Sequence, residues 1–179
     1  MTHPLAPIAG ALAGRDVRYV LIGVSAANLY GPGGQAIFTT EDFDLFLPPD
    51  PDNLVSAWAA CADLAYEVWL NEEPLDRPRD RWLAERAIER RVVTRATGPE
   101  DLLIDLTLVM KGYEFDQVWN ERRTFVMEGT EVPTARLLHI VTSKQATGRL
   151  KDQLFLTTHE DALKQLLEPL EDPLPPRPE

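Results

Sequence analysis

The sequence predicts an α/β (α+β) domain: a mixed central sheet flanked by helices, with further helices closing the C-terminus. Three observations carry that reading. From residue 17 onward, β-prone runs alternate with segments of helical spacing. After residue 134 the pattern is helical alone. No internal repeat or linker interrupts the 179 residues, a length that suits one domain. The domain is expected over residues 1–168. The final segment 169–179, "PLEDPLPPRPE", holds five prolines and is expected to be an extended, mobile tail.

The elements follow in order. "VRYVLI" (17–22) is a short β-rich run. "GVSAANLYG" reads as a tight turn into a short helix from about Ser25, stopped by "GPGG" at 31–34. "DFDLFL" is the next strand, ended by Pro48 and Pro49. Residues 52–64 have helical spacing through Leu54, Trp58, Cys61 and Leu64. A short strand is expected near 66–69, then a helix over "RPRDRWLAERAIE" and a β-prone "RRVVTRAT". "DLLIDLTLVM" (101–110) is an almost continuous apolar run of strand length, expected to be central and covered on both sides. "TFVMEGTEVPT" (124–134) fits a hairpin turning at Glu128-Gly129, and helices over 135–147 and 151–168 are punctuated by Gly148. Trp58, Trp82 and Trp119 have helical neighbours and read as core. His139 and His159 are isolated and read as ordinary surface or partly buried histidines.

Composition narrows the function. Apolar residues make up 44% and charged ones 26%, as in ordinary globular proteins. The single cysteine, Cys61, allows no internal disulfide and no cysteine-built metal site. The N-terminus lacks a basic region followed by an apolar core, and no apolar run is long enough for a membrane span, so a cytoplasmic protein is expected. A net charge of −11 works against casual binding to nucleic acid or anionic membrane. Seven arginines nonetheless fall between residues 77 and 95. They read either as a solvated helix laced with pairs such as Arg81 and Glu85, or as a basic surface for a polyanionic second substrate.

The chemistry is concentrated in three carboxylates. Asp42 and Asp44 lie one residue apart on an apolar strand and share a face. Asp105 sits alone in the middle of the later apolar run. An uncompensated carboxylate there costs several kcal/mol or is protonated. Any one of them could cap a loop or pair with an arginine. Three together, two at alternate positions, are more economically explained by a shared hard divalent cation, Mg²⁺ or Mn²⁺, which takes carboxylate and phosphate oxygens.

Two other features point to phosphate. In "LIGVSAANLYG" a strand runs into Gly23, where backbone can approach a ligand closely, and Ser25 adds a hydroxyl near a helix start. The same residues also suit a plain strand-to-helix turn with a capping serine. Lys144 ends the stripe Leu137, Val141, Lys144, so its ammonium either snorkels outward or turns into a cleft. Arg149 and Lys151 flank the next helix start as possible helpers, and Asp152 reads as an N-terminal helix charge.

Together these residues resemble the DNA polymerase β-like nucleotidyltransferase superfamily. "IGVSAANLYG" and "TEDFDLF", the latter opened by Thr40, are similar to its strand, glycine turn, short helix and T-x-D-h-D-h signature. "LLHIVTSKQATGRLKDQLFL" resembles the K-x-x-A-G-R-x-K-D segment of the small bacterial, AbiEii toxin-like branch. The resemblance covers residues 17 to about 168. Val24 stands where a second glycine or serine is usual, and "GPGGQ" lengthens the path to Asp42.

The resemblance implies a nucleotidyltransferase fold and transfer of a nucleoside monophosphate from an NTP to an acceptor hydroxyl. Asp42, Asp44 and Asp105 would be catalytic and hold the metal; Gly23, Ser25, Thr40, Lys144, Arg149 and Lys151 would face the nucleotide phosphates. The acceptor is left open among tRNA, a protein side chain and a small molecule such as an aminoglycoside or lincosamide antibiotic. An alternative is a nucleotidyltransferase-fold protein without turnover, acting as a nucleotide-binding or toxin–antitoxin-type partner.

Overall fold

Residues 2–167 are described by the computed structural model; the proline-rich tail expected over 169–179 lies outside them. In chain order the elements are α1 (Ala6–Gly14), β1 (Val20–Ile22), α2 (Gly23–Asn28), β2 (Asp42–Phe46), α3 (Pro51–Asp63), β3 (Glu67–Leu70), β4 (Glu73–Pro74), α4 (Arg81–Glu89), β5 (Thr94–Thr97), β6 (Leu103–Thr107), α5 (Phe115–Glu121), β7 (Arg123–Met127), β8 (Thr130–Thr134), α6 (Leu137–Thr147), α7 (Leu150–Thr158) and α8 (Glu160–Leu167). Among the described residues one mixed sheet of eight strands runs in the order β4-β3-β5-β6-β2-β1-β8-β7. The two acid-bearing strands, β2 and β6, pair in parallel at its middle, while β5 and β1 flank them antiparallel.

Alternation gives this sheet two unlike faces. Leu45 of β2, Ile104 and Leu106 of β6, Ala96 of β5 and Val68 of β3 point into the main core. They meet Leu5, Ile8 and Leu12 from the α1 side and Leu54, Trp58 and Cys61 of α3, all almost fully buried. The other face carries Asp42, Asp44, Asp105 and Arg95. The run 101–110 is therefore central, as expected, but covered on one side only; its second face lines an open cleft through Asp105, Thr107 and Val109. A smaller cluster, Ala27, Phe38, Leu137 and Leu163, fastens α2 to α6 and α8.

Local chemistry sets the boundaries. Asp50 accepts hydrogen bonds from the Asp52 and Asn53 amides with Pro51 in the first turn of α3, and Asp80 accepts from the Leu83 amide to open α4. Gly148, at φ +64°, ends α6 in the left-handed conformation.

Several expectations need correction. The first strand is shorter than 17–22, and α2 begins at Gly23 rather than near Ser25. The helix expected over 151–168 is split at His159 into α7 and α8. Helices α1 and α5 and the two-residue β4 were not foreseen. In α1 the stripe Leu5, Ile8, Ala9, Leu12 is present, but Gly10, Gly14 and two prolines dilute helix propensity around it. Trp58 is core, whereas Trp82 is 65% exposed, with the Arg86 guanidinium over its ring.

One buried side chain fixes the loop that leads to the acids. Asn28 accepts from the Ile37 and Phe38 amides (2.9 and 2.7 Å) and donates to the Phe38 carbonyl (2.9 Å). Truncation would leave the Ile37 amide and the buried amide and carbonyl of Phe38 unpaired. Asn28→Ala is expected to lower the unfolding free energy by about 2–3 kcal/mol, read by urea denaturation; a loss within error of zero would show that the loop is held elsewhere.

Candidate active site

The site begins where β1 ends. Gly23 has φ +74°, the left-handed region that favours glycine, and a Cβ placed there would run into Asp44 Oδ2. Two independent reasons thus require glycine at this turn. The chain can pass against the Asp44 carboxylate only without a side chain.

Register then aligns the charged groups across the sheet. Ile22 is opposite Asp44, Asp44 opposite Asp105, and Asp105 opposite Arg95. Side chains in register on neighbouring strands share a face and come close. Asp42, Asp44 and Asp105 each present an oxygen within 4.8 Å of the others. The sequence-based grouping of these three is therefore what the fold produces.

Their partners differ. Arg95 grips Asp105 with a two-pronged fork, Nε to Oδ1 at 2.6 Å and Nη2 to Oδ2 at 2.8 Å, and stands 3.9 Å from Asp42 Oδ2. Thr40 Oγ1 lies 3.2 Å from both the Asp42 carbonyl and Asp42 Oδ1. Among the described residues Asp44 has no ion pair or hydrogen-bond donor of its own. Burial first, then the charges of Asp42 and Asp105, push its carboxyl up to about 6, and Lys144 and Lys151 only partly oppose them.

The opposite wall of the cleft is cationic. Asp152, 1% exposed in α7, accepts Lys144 Nζ at 2.9 Å, Thr147 Oγ1 at 2.6 Å and Arg149 Nε at 2.8 Å. Burial would raise Asp152, but the bonds from Thr147 and Lys144 and the pair with Arg149 outweigh it and hold the carboxyl down at about 2. Lys144 is largely covered and lines the cleft, so it turns inward. Gly23, Asp44, Asp105, Ser143, Lys144 and Arg149 border one cavity of about 480 Å³. Lys151 is exposed, close enough for its charge to act on Asp44.

Ser25 and Thr40 border a neighbouring cavity of about 240 Å³, and Ser25 Oγ donates to the Ile22 carbonyl at 3.4 Å within its own helix start. The structure thus groups Gly23, Lys144 and Arg149 with Asp44 and Asp105 in one cleft and sets Ser25 and Thr40 in another cavity. Two residues were missed as site members. Arg95 reads in sequence only as part of the arginine cluster, although the alternation of "TRAT" puts it on the face away from Thr94 and Ala96. Asp152 reads in sequence as a helix charge, and the fold makes it the buried hub of the cationic wall. His139 is at the buried end of its expected range, with Nε2 3.0 Å from Glu121 Oε2.

Asp44 makes stability depend on pH. Its folded value is raised, so between about pH 4 and 6 the folded protein holds a proton that the unfolded chain releases. The cost of ionising it is absent below that window and complete above it, about 2–3 kcal/mol. Asp44→Asn in metal-free buffer is expected to melt above the wild type at pH 8, with the gap closing by about pH 4. Melts across pH check this, and a gap that does not change with pH would contradict it.

No protein-family model matches the sequence, and no curated protein matches it. Solved structures do resemble the fold. The crystal structure of ANT(2")-Ia in complex with adenylyl-2"-tobramycin aligns at TM-score 0.56 and 16% identity, over 93% of this chain and 87% of that one. An antigenic nucleotidyltransferase-like protein from Paracoccidioides brasiliensis aligns at TM-score 0.58 and 18% identity, over 96% and 77%. The solution structure of ANT(2'')-Ia aligns at TM-score 0.51 and 15% identity, over 90% and 86%. The fold expected from the sequence is thus the fold found: a mixed α/β nucleotidyltransferase fold.

Proposed function

We propose that this chain is a metal-dependent nucleotidyltransferase that moves a nucleoside monophosphate from an NTP to an acceptor hydroxyl. One observation carries the reading: Asp42, Asp44 and Asp105 converge within 4.8 Å on the open face of a nucleotidyltransferase-type sheet. The donor set fits a hard divalent cation, Mg²⁺ or Mn²⁺, since every ligand atom offered is a carboxylate oxygen. The raised carboxyl of Asp44 supports the fit, because a cation would favour the ionised form that the bare site resists. Asp42, Asp44 and Asp105 would hold it. Bound there, such an ion neutralises triphosphate charge and acidifies the acceptor hydroxyl.

The chain's own residues supply the rest. Gly23 lets the backbone pass directly against Asp44 at the edge of the cleft. Lys144 and Arg149, held by Asp152, and the exposed Lys151 put positive charge where pyrophosphate would develop its own. In the reaction the acceptor oxygen bonds to the α-phosphorus, the α–β bridging bond breaks, and pyrophosphate and the hydroxyl proton leave. Ser25 and Thr40, beside the cleft, would serve the sugar or outer phosphates rather than the reacting centre.

For the acceptor, a small polyhydroxylated molecule fits best. ANT(2")-Ia carries adenylyl-2"-tobramycin in its crystal structure. A cleft of about 480 Å³ suits a ligand of that order, and net charge −11 disfavours tRNA. The toxin-like resemblance of "KQATGRLKD" keeps a protein hydroxyl as the competing acceptor. A second reading, nucleotide binding without turnover, is favoured by the Arg95 fork, which occupies both oxygens of Asp105.

Labelled NTPs incubated with Mg²⁺ or Mn²⁺ and a panel of hydroxylated acceptors, aminoglycosides included, test both readings. The wild type is expected to release pyrophosphate, and Asp42→Asn or Asp44→Asn to lose at least about 100-fold in rate, more than loss of an outer-shell partner costs. NTP binding with no pyrophosphate from any acceptor would favour the second reading. Equal Mg·NTP binding by the wild type and Asp44→Asn would defeat both.

A further inference from the structure

The arginine-rich segment divides once its partners are known. Arg81 pairs with Asp52 and Glu85, Arg86 with Glu89, and Arg95 with Asp105. Among the described residues, Arg77 and Arg79 have no acidic side chain within ion-pair reach, in a chain of net charge −11. They are one residue apart, and the charge of Arg77 disfavours that of Arg79.

Arg79 is the more telling of the two. Among the described residues its Nε is buried with no hydrogen-bond partner, and its Nη2 reaches only the Leu75 carbonyl at 3.4 Å. Burial first and Arg77 second pull its affinity for the proton down. A guanidinium held this way is short of an anion.

Both arginines border a cavity of about 530 Å³ against α3, whose other walls are Val55, Trp58, Ala59, Ala62 and Pro78. The arginines are its sole ionisable groups among the described residues. The cavity lies against α3, the helix that covers the apolar face of the sheet, so it is separate from the acidic cleft.

We propose that Arg77 and Arg79 form a second binding site, for a small phosphate monoester whose apolar body lies along Val55 and Ala59. Two guanidinium groups match the dianion in charge and in forked geometry. A concave, mostly apolar pocket bordered by two cationic groups suits a small molecule. An extended polyanion would also meet the acidic surface of the chain. The site is independent of the function proposed for the acidic cleft.

Phenyl phosphate and inorganic phosphate, titrated calorimetrically into the full chain, test it. The wild type and Asp44→Asn are expected to bind phenyl phosphate equally, and more tightly than inorganic phosphate. Arg79→Gln and the exposed Arg77→Gln are each expected to weaken binding tenfold or more. Wild-type affinity in both arginine variants would overturn the proposal, and so would no binding by the wild type. Loss in Asp44→Asn alone would put the phosphate in the acidic cleft and likewise refute it. Tighter binding of single-stranded RNA than of phenyl phosphate through the same arginines would replace the small ligand with a polyanion.

Discussion

Like charge brought together on a sheet face is the constraint on which the site depends. Parallel pairing of β2 with β6 puts Asp44 directly opposite Asp105, and alternation adds Asp42 two residues away. Nothing in the apolar core asks for this arrangement: Leu45, Ile104 and Leu106 on the reverse face would bury equally well without it. The acids are therefore a burden on the fold, concentrated at Asp44, whose carboxyl sits far above its ordinary value. Sites that carry such unrelieved charge are where chemistry is most often done.

The surroundings distribute compensation unevenly. Arg95 neutralises Asp105 from within the sheet, while Lys144 and Arg149 are committed to Asp152 rather than to the acids. A buried carboxylate holding two cations at a cleft wall makes sense if those cations must stay charged and in place. The cleft thus has an anionic floor and a cationic side. That division suits a ligand which is itself a polyphosphate bridged by a metal. It also suggests a role for the Arg95 fork: a counter-charge that keeps Asp105 satisfied until a better cation arrives.

How much of this was legible follows from the range of each interaction. Asp42 and Asp44 betray a shared face through the alternation of "TEDFDLF", and Asp105 is conspicuous because its neighbours are apolar. Gly23 shows as the break between a β-rich run and small helical residues. Arg95 did not stand out, because only the antiparallel register of β5 on β6 sets it opposite Asp105, and pairing of strands is not written locally. Asp152 looks like any acid in a first helical turn until α7 folds back on α6 and buries it. Ser25 shows the limit of motif spacing: one residue late in the turn, its hydroxyl bonds to Ile22 and borders the adjoining cavity. Trp82 and α1 show opposite errors, a large apolar residue that faces water and a buried helix masked by glycines.

The convergence of the acids can be measured without any nucleotide. Mn²⁺ titrated into the metal-free protein at neutral pH, with the free ion followed by electron paramagnetic resonance, reports directly on a shared cation site. Saturable loss of the free signal is expected for the wild type, much weaker binding for Asp44→Asn, and tighter binding for Arg95→Gln, which removes the competing charge from Asp105. Indistinguishable titrations for all three proteins would show that the carboxylates do not act together on a cation.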